Sequence, residues 1–306
     1  MANIIQIAKI SDEEIINKLF QFYQGVEDLL EERLSLNVWT SPEQQKGAKA
    51  SLDIVLRKLV RTSLSPIIPG SEIRWDEQLQ LEPVYSDSNI VLVDLVDGAR
   101  QYARQGAAIT SHLGIFHNDN GSFGPMQLGL VSYPFHRYRV LAIGEGAKAR
   151  VYWMPFSFDF LAGDFSDKLE QHRLPPNEQK GAKGFYLVDR YLCYNADDPI
   201  RRRLDEIRKD LHHFGGEYTV CRGSIAKHIV DVTIGAADIV IYRCEESRPP
   251  LPYYDYLTPS KILQASGGCF TTLDGAMPDG KKPINGFIAA RDKYAFDFAK
   301  KIAGLS

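Results

Sequence analysis

The chain has 306 residues, 44% of them hydrophobic and 25% charged, values that fit a folded chain with a sizeable core and exclude a disordered or fibrous one. Lys and Arg number 36 against 39 Asp and Glu, a formal charge of −3, so no basic excess is available to hold DNA or RNA. Four cysteines, Cys193, Cys221, Cys244 and Cys269, lie 28, 23 and 25 residues apart, too sparse for a disulfide framework and too far apart for a zinc knuckle or redox pair.

The first residues lack the charged, apolar, small-residue order of a signal peptide, and no apolar run is long enough to span a bilayer. The expectation is a soluble, cytoplasmic chain with neither a membrane nor a nucleic-acid partner. Ser11 and Glu14 form a capping box, and Ile15, Ile16, Leu19, Phe20, Tyr23, Val26, Leu29 and Leu30 share one face of the helix it opens. A second helix is predicted over 46–64, with Leu52, Val55, Leu56, Leu59 and Val60 as its stripe and Pro66 and Pro69-Gly70 as its stop. Residues 90–93 read as a buried strand, and 128–132 with 139–143 as an antiparallel hairpin around Pro134. The irregular stretch 155–183 reads as a linker. Beyond it come a strand at 186–188, a charged helix over 198–212 and a helical pattern over 223–235. A strand at 237–242 follows, and Thr258-Pro259 is expected to open a last helix with Pro in its first turn. Helices and strands interleave in both halves, so the class is α/β or α+β.

Several chemistries lack their motif: there is no phosphate loop, no H-E-x-x-H pair and no nucleophile elbow. The informative stretch is Val91-Leu92-Val93-Asp94-Leu95-Val96-Asp97-Gly98-Ala99. A buried strand ends on one carboxylate, and a second follows three residues later beside a glycine. Two carboxylates aimed into one small volume raise each other's pKa, and a hard divalent cation with oxygen ligands removes the conflict. A helix starting at Gly98 would turn free N–H groups toward an anion. A strand end followed by an ordinary Asp-Gly turn is the competing reading of the same residues.

At this point the sequence resembles the inositol monophosphatase family of Mg²⁺-dependent phosphatases. That family's Asp-Pro-Ile/Leu-Asp-Gly-Thr signature stands here as Asp94-Leu95-Val96-Asp97-Gly98-Ala99, and its upstream acidic pair as Asp76-Glu77. Asp53 matches an earlier family Asp, and 143–147 resembles the Gly-x-Gly-Ala turn after the hairpin. Arg222-Gly223-Ser224-Ile225-Ala226 and Gly235-Ala236-Ala237-Asp238 resemble the Gly-Ser-Ala-Ala helix and its end. Tyr254-Asp255, with Gly267-Gly268 twelve residues on, resembles the Trp-Asp…Gly-Gly signature.

The resemblance implies a layered αβαβα sandwich, with an N-terminal α+β part (1–154) carrying the Asp94–Ala99 motif and a C-terminal α/β part (155–306) supplying Asp255. It implies two or three Mg²⁺ ions held by Asp76, Asp94, Asp97, Asp255 and the Val96 carbonyl, with Asp76 also orienting the attacking water. The Gly98 and Ala99 amides would hold phosphate. It implies a homodimer acting on a small phosphorylated substrate: an inositol phosphate, a sugar phosphate or a 3′-phosphonucleotide.

Four substitutions and one insertion stand against the family pattern. The water-orienting Thr is Ala99, the metal-binding Glu is the shorter Asp76, and Leu95 and Tyr254 replace a Pro and a Trp. A Pro-rich insertion at 248–252 precedes Asp255. Losing one positioned hydroxyl typically costs on the order of 10²–10³-fold in rate. The alternative to a working phosphatase is therefore an impaired member that binds metal or phospholigands in a regulatory role.

Overall fold

The computed structural model describes residues 13–36, 42–75, 89–98, 109–157, 165–175, 186–189, 218–221, 223–244, 249–280 and 282–305, with 199, 200, 202, 203 and 206. The apolar stripe of the first segment becomes helix α1 (Glu13–Leu36), whose Ile16, Leu19, Phe20, Tyr23, Val26 and Leu30 are all buried. Ser11 of the expected capping box lies outside the described residues. Helix α2 runs Pro42–Leu59 and continues as a wider turn over Val60–Leu64, so the predicted second helix is present but changes its hydrogen bonding at Val60. Pro42 supplies a preset φ at the helix start, and the wider turn keeps both Val60 and Leu64 buried.

Both helices cover one face of a six-stranded sheet: β1 (Glu72–Trp75), β2 (Asn89–Asp97), β3 (Thr110–Asp119), β4 (Ser122–Tyr133), β5 (Tyr138–Ile143) and β6 (Arg150–Pro155), in that order. Within this sheet, β1 and β2 pair in parallel and the other described pairs are antiparallel. The expected hairpin is β4–β5, longer at its start than predicted. A short helix α3 (Phe165–Gln171) lies in the stretch read as a linker. A second sheet has the order β10-β11-β9-β7-β8, from β7 (Tyr186–Asp189), β8 (Tyr218–Cys221), β9 (Ile239–Arg243), β10 (Cys269–Thr272) and β11 (Gly286–Ala290). Of the expected helix over 198–212, the described positions 199, 200, 202, 203 and 206 are helical.

Between the sheets run α4 (Ile225–Thr233) and α5 (Tyr253–Ala265); α6 (Lys293–Ala303) covers the outer face of the second sheet. Three buried clusters follow from this stacking. One joins α1 and α2 to residues such as Val91, Val93, Leu113 and Ile115. The next joins Leu92, Phe116 and Val140 to α4, α5 and the second sheet. The last joins Ile239, Ile241 and Ile288 to α6. Alternate residues of β2 and of β9 thus enter different cores, and the layers are αβαβα.

The helix expected to open at Thr258-Pro259 instead begins at Tyr253, and Pro259 stands inside it. A proline there removes one backbone bond, the one to the Asp255 carbonyl, at a typical penalty of about 3 kcal/mol. Burial of Tyr256, Leu257, Ile262 and Leu263 between two sheets outweighs it. The final helix is α6, capped by Asp292, whose carboxylate accepts from the Ala295 N–H at 2.8 Å, and closed by Gly304 at φ +76°.

Candidate metal centre

Asp94 and Asp97 are three residues apart, and in an unbroken strand they would point to opposite faces. The ladder between β2 and β3 prevents this. Asp94 pairs with His112 and Asp97 with Thr110, three steps on one strand against two on the other. The extra residue is a β-bulge, which restores the phase and turns both carboxylates to the face covered by α4 and α5. Two bonds pin the bulge: the Val96 N–H donates to Asp94 Oδ1 at 3.0 Å, and the Ser111 hydroxyl to the Leu95 carbonyl at 2.5 Å. Gly98, at φ +87°, then turns the chain in a conformation that a side chain would strain.

Helix α4 meets Asp97 end-on. The Ala226 N–H donates to Asp97 Oδ2 at 2.8 Å, placing a carboxylate where the helix dipole favours negative charge. Ser224 caps the same helix, accepting from the Lys227 N–H at 2.8 Å, and its hydroxyl bonds the Thr110 hydroxyl at 2.7 Å and Asp97. Burial nevertheless dominates: it pushes the Asp97 carboxyl up to about 6, against the opposing donors from Ala226, Ser224, Ile225 and Gly98.

Asp255 arrives from the other half of the chain, in the first turn of α5. The Pro-rich segment sets where that turn starts. Leu251 and Ile284 exchange backbone bonds of 2.8 and 2.9 Å, and Pro252 is the helix cap. Ligand oxygens of Asp94, Asp97 and Asp255 then lie within 4.8 Å of one another, the first two carboxylates buried and the third partly so. Three carboxylates this close repel one another without a cation, and an all-oxygen donor set suits a hard divalent ion. The residues present fit such an ion.

Beside the trio, His112 is wholly buried, with Nε2 3.7 Å from Asp94 Oδ2 and neither ring nitrogen hydrogen-bonded. Burial holds its pKa down near 3, so the imidazole is neutral at pH 7. One turn beyond Asp255, the Thr258 hydroxyl is also buried without a hydrogen-bond partner.

Of the residues singled out in the sequence, Asp94, Asp97 and Asp255 converge, and Val96 and Gly98 lie in and just after the bulge between the two aspartates. Asp76 and Ala99 lie outside the described residues. Asp53, half-buried on α2, is not among the three carboxylates that meet. The sequence reading gave no role to Ser224, Thr110, Ser111 or His112. The available signal was three consecutive polar residues, 110–112, directly ahead of the apolar run 113–116.

This fold is that of solved inositol monophosphatases. The Thermotoga maritima enzyme aligns with a TM-score of 0.63 at 15% identity, over 94% of this chain and 96% of that one. Inositol monophosphatase II from Staphylococcus aureus gives 0.65 at 16%, over 93% and 95%. The Anabaena enzyme gives 0.60 at 16%, over 95% of each chain. No curated protein matches the sequence. The class defined is a phosphoric monoester hydrolase. The model of the inositol monophosphatase family matches residues 11–302, and the chain belongs to that family.

Proposed function

We propose that this protein is a Mg²⁺-dependent phosphatase acting on a small phosphomonoester: an inositol phosphate, a sugar phosphate or a 3′-phosphonucleotide. The observation that carries the reading is the meeting of Asp94, Asp97 and Asp255 from two halves of the chain within 4.8 Å. These three, with the Val96 carbonyl and Asp76, would hold two or three Mg²⁺ ions. The metal supplies electrophilic stabilisation of the phosphoryl group and lowers the pKa of water. The protein's part is positioning. The bulge aims Asp94 and Asp97 at one volume, and α5 brings Asp255 to it. The first turn of α4 donates to Asp97, and by the resemblance the Gly98 and Ala99 amides would hold phosphate. Structures of the staphylococcal relative are described with inositol monophosphate and with 2′-AMP bound, which supports a small monoester for this chain.

Ala99 in place of the family Thr favours a second reading, an impaired member that binds metal or phospholigand in a regulatory role. Phosphate release from a panel of phosphomonoesters with Mg²⁺, beside Ala99→Thr, separates the two. Turnover by the unmodified protein supports the enzyme. Background rates that only Ala99→Thr lifts support the impaired member. Mg²⁺ affinity left unchanged by Asp94→Asn would place the metal elsewhere. By the same resemblance we take the protein as a homodimer, and on its composition as cytoplasmic, which sedimentation and fractionation check. Two sheets built from 72–155 and 186–290 support reading the chain as two parts that divide around the end of β6.

A further inference from the structure

His112 has no assigned role, yet its position is fixed by the backbone. It stands directly across the β2–β3 ladder from Asp94, on the face toward α5. A neutral imidazole carries one N–H and one lone pair, and both are buried here without hydrogen bonds. Native interiors rarely leave both polar atoms of a side chain unpaired. The polar atom that Nε2 faces is Asp94 Oδ2 at 3.7 Å, about half an ångström beyond hydrogen-bond range. The other oxygen, Oδ1, already accepts from the Val96 N–H. Asp97, the second carboxylate of the bulge, has its own donors in Ala226 and Ser224. His112 is thus a side chain placed to restrain Asp94 Oδ2.

We propose that His112 is a positioning residue for the cation: its Nε2–H donates to Asp94 Oδ2 when the ion is held and so helps to fix the carboxylate plane. The inference rests on the metal reading of the Asp94–Asp97–Asp255 cluster. A lone pair of Oδ2 stays open to the ion while another takes the imidazole N–H, as a carboxylate oxygen accepts more than one bond. Outer partners of this kind typically change metal affinity by 10–100-fold.

The test is titration of the full-length, metal-stripped protein with Mn²⁺ by calorimetry at pH 7.5, for wild type, His112→Leu, His112→Gln and Asp94→Asn. His112→Leu should bind Mn²⁺ about 10–100-fold more weakly. His112→Gln, which restores an N–H near the place of Nε2, should lie within about threefold of wild type. The metal-free urea midpoint of His112→Leu should not fall, because no hydrogen bond is lost there. In parallel, ¹⁵N-histidine NMR of the wild type should show His112 in the Nε2–H tautomer, its proton moving downfield when Mg²⁺ is added. That measurement needs no variant to fold. Wild-type affinity in His112→Leu, equal weakness in His112→Gln, or an Nδ1–H tautomer overturns the assignment and leaves the metal reading standing. A wild type that takes up no Mn²⁺, with Asp94→Asn indistinguishable from it, overturns both.

Discussion

Ser224 concentrates several duties in one hydroxyl, and removing it gives a measurable sum. The oxygen accepts from the Lys227 N–H and is bonded by the Thr110 hydroxyl, while its own proton goes to Asp97. Ser224→Ala therefore loses a helix cap and a charge-assisted bond, and leaves a Thr110 hydroxyl that is 0% exposed without its partner. A cap is typically about 1 kcal/mol, and an orphaned buried hydroxyl or a bond to a charged group about 1–3 kcal/mol each. Allowing for relaxation, we expect a loss of about 3 kcal/mol. Thr110→Val removes only a donor and should cost about 1 kcal/mol. The double variant should be about 1–2 kcal/mol more stable than the singles would add to, because the same bond is lost twice and the orphan disappears. Urea unfolding of the metal-free protein at pH 7.5 measures all three, above the Asp97 pKa near 6, where the charge that Ser224 serves is present. A Ser224→Ala loss below about 0.5 kcal/mol, or additive singles, would refute the assignment of these bonds.

Gly98→Ala should destabilise by about 1 kcal/mol because φ is +87°, and should weaken Mn²⁺ binding as the turn shifts; denaturation and calorimetry check the two parts. Glu27 of α1 and Arg139 of β5 form a buried ion pair, 1% and 3% exposed, so Glu27→Leu alone should cost about 3–5 kcal/mol. Adding Arg139→Met should recover most of that loss in the same unfolding assay, since no unpaired charge is then left in the interior. His228 is buried, and its pKa falls from 6.5 to about 3 by desolvation. The unfolded chain then binds the proton more readily, so this contribution is complete above pH 6.5 and is lost as pH falls toward 3. Between pH 7.5 and 5, wild type should lose about 2 kcal/mol more than His228→Leu does; parallel slopes would refute the shift.

Much of the fold is legible because its signals are local. The stripe from Ile15 to Leu30 needs only a 3.6-residue period to predict α1, and the apolar run at 90–93 is the buried centre of β2. Strands without such a pattern were not read: β11 is a five-residue run with two alanines and a glycine, made a strand by pairing with both β9 and β10. Pro259 misled for a related reason. The local rule that proline opens a helix is sound, but the burial that holds it inside α5 comes from both sheets, from residues as distant in sequence as Leu92 and Phe116.

The site was legible as composition and not as geometry. Asp94, Asp97 and Asp255 could be picked out one by one. Yet the period-2 rule of strands, applied to Asp94 and Asp97, argues against a shared site, since it sends them to opposite faces. The bulge reverses that conclusion, and its causes are dispersed. The Val96 N–H turns back to Asp94, Ser111 of the neighbouring strand holds the Leu95 carbonyl, and α4, starting 128 residues after Asp97, closes on Asp97 through Ala226. None of these partners is marked by a period or a spacing near the motif. The chain's formal charge of −3 is equally silent. What matters electrostatically is that three of its 39 acidic groups meet within 4.8 Å, where burial, against opposing hydrogen-bond donors, lifts Asp97 to about 6. An ion bound there would offset the local charge and attract a phosphate, so a phosphatase of this kind needs no basic surface.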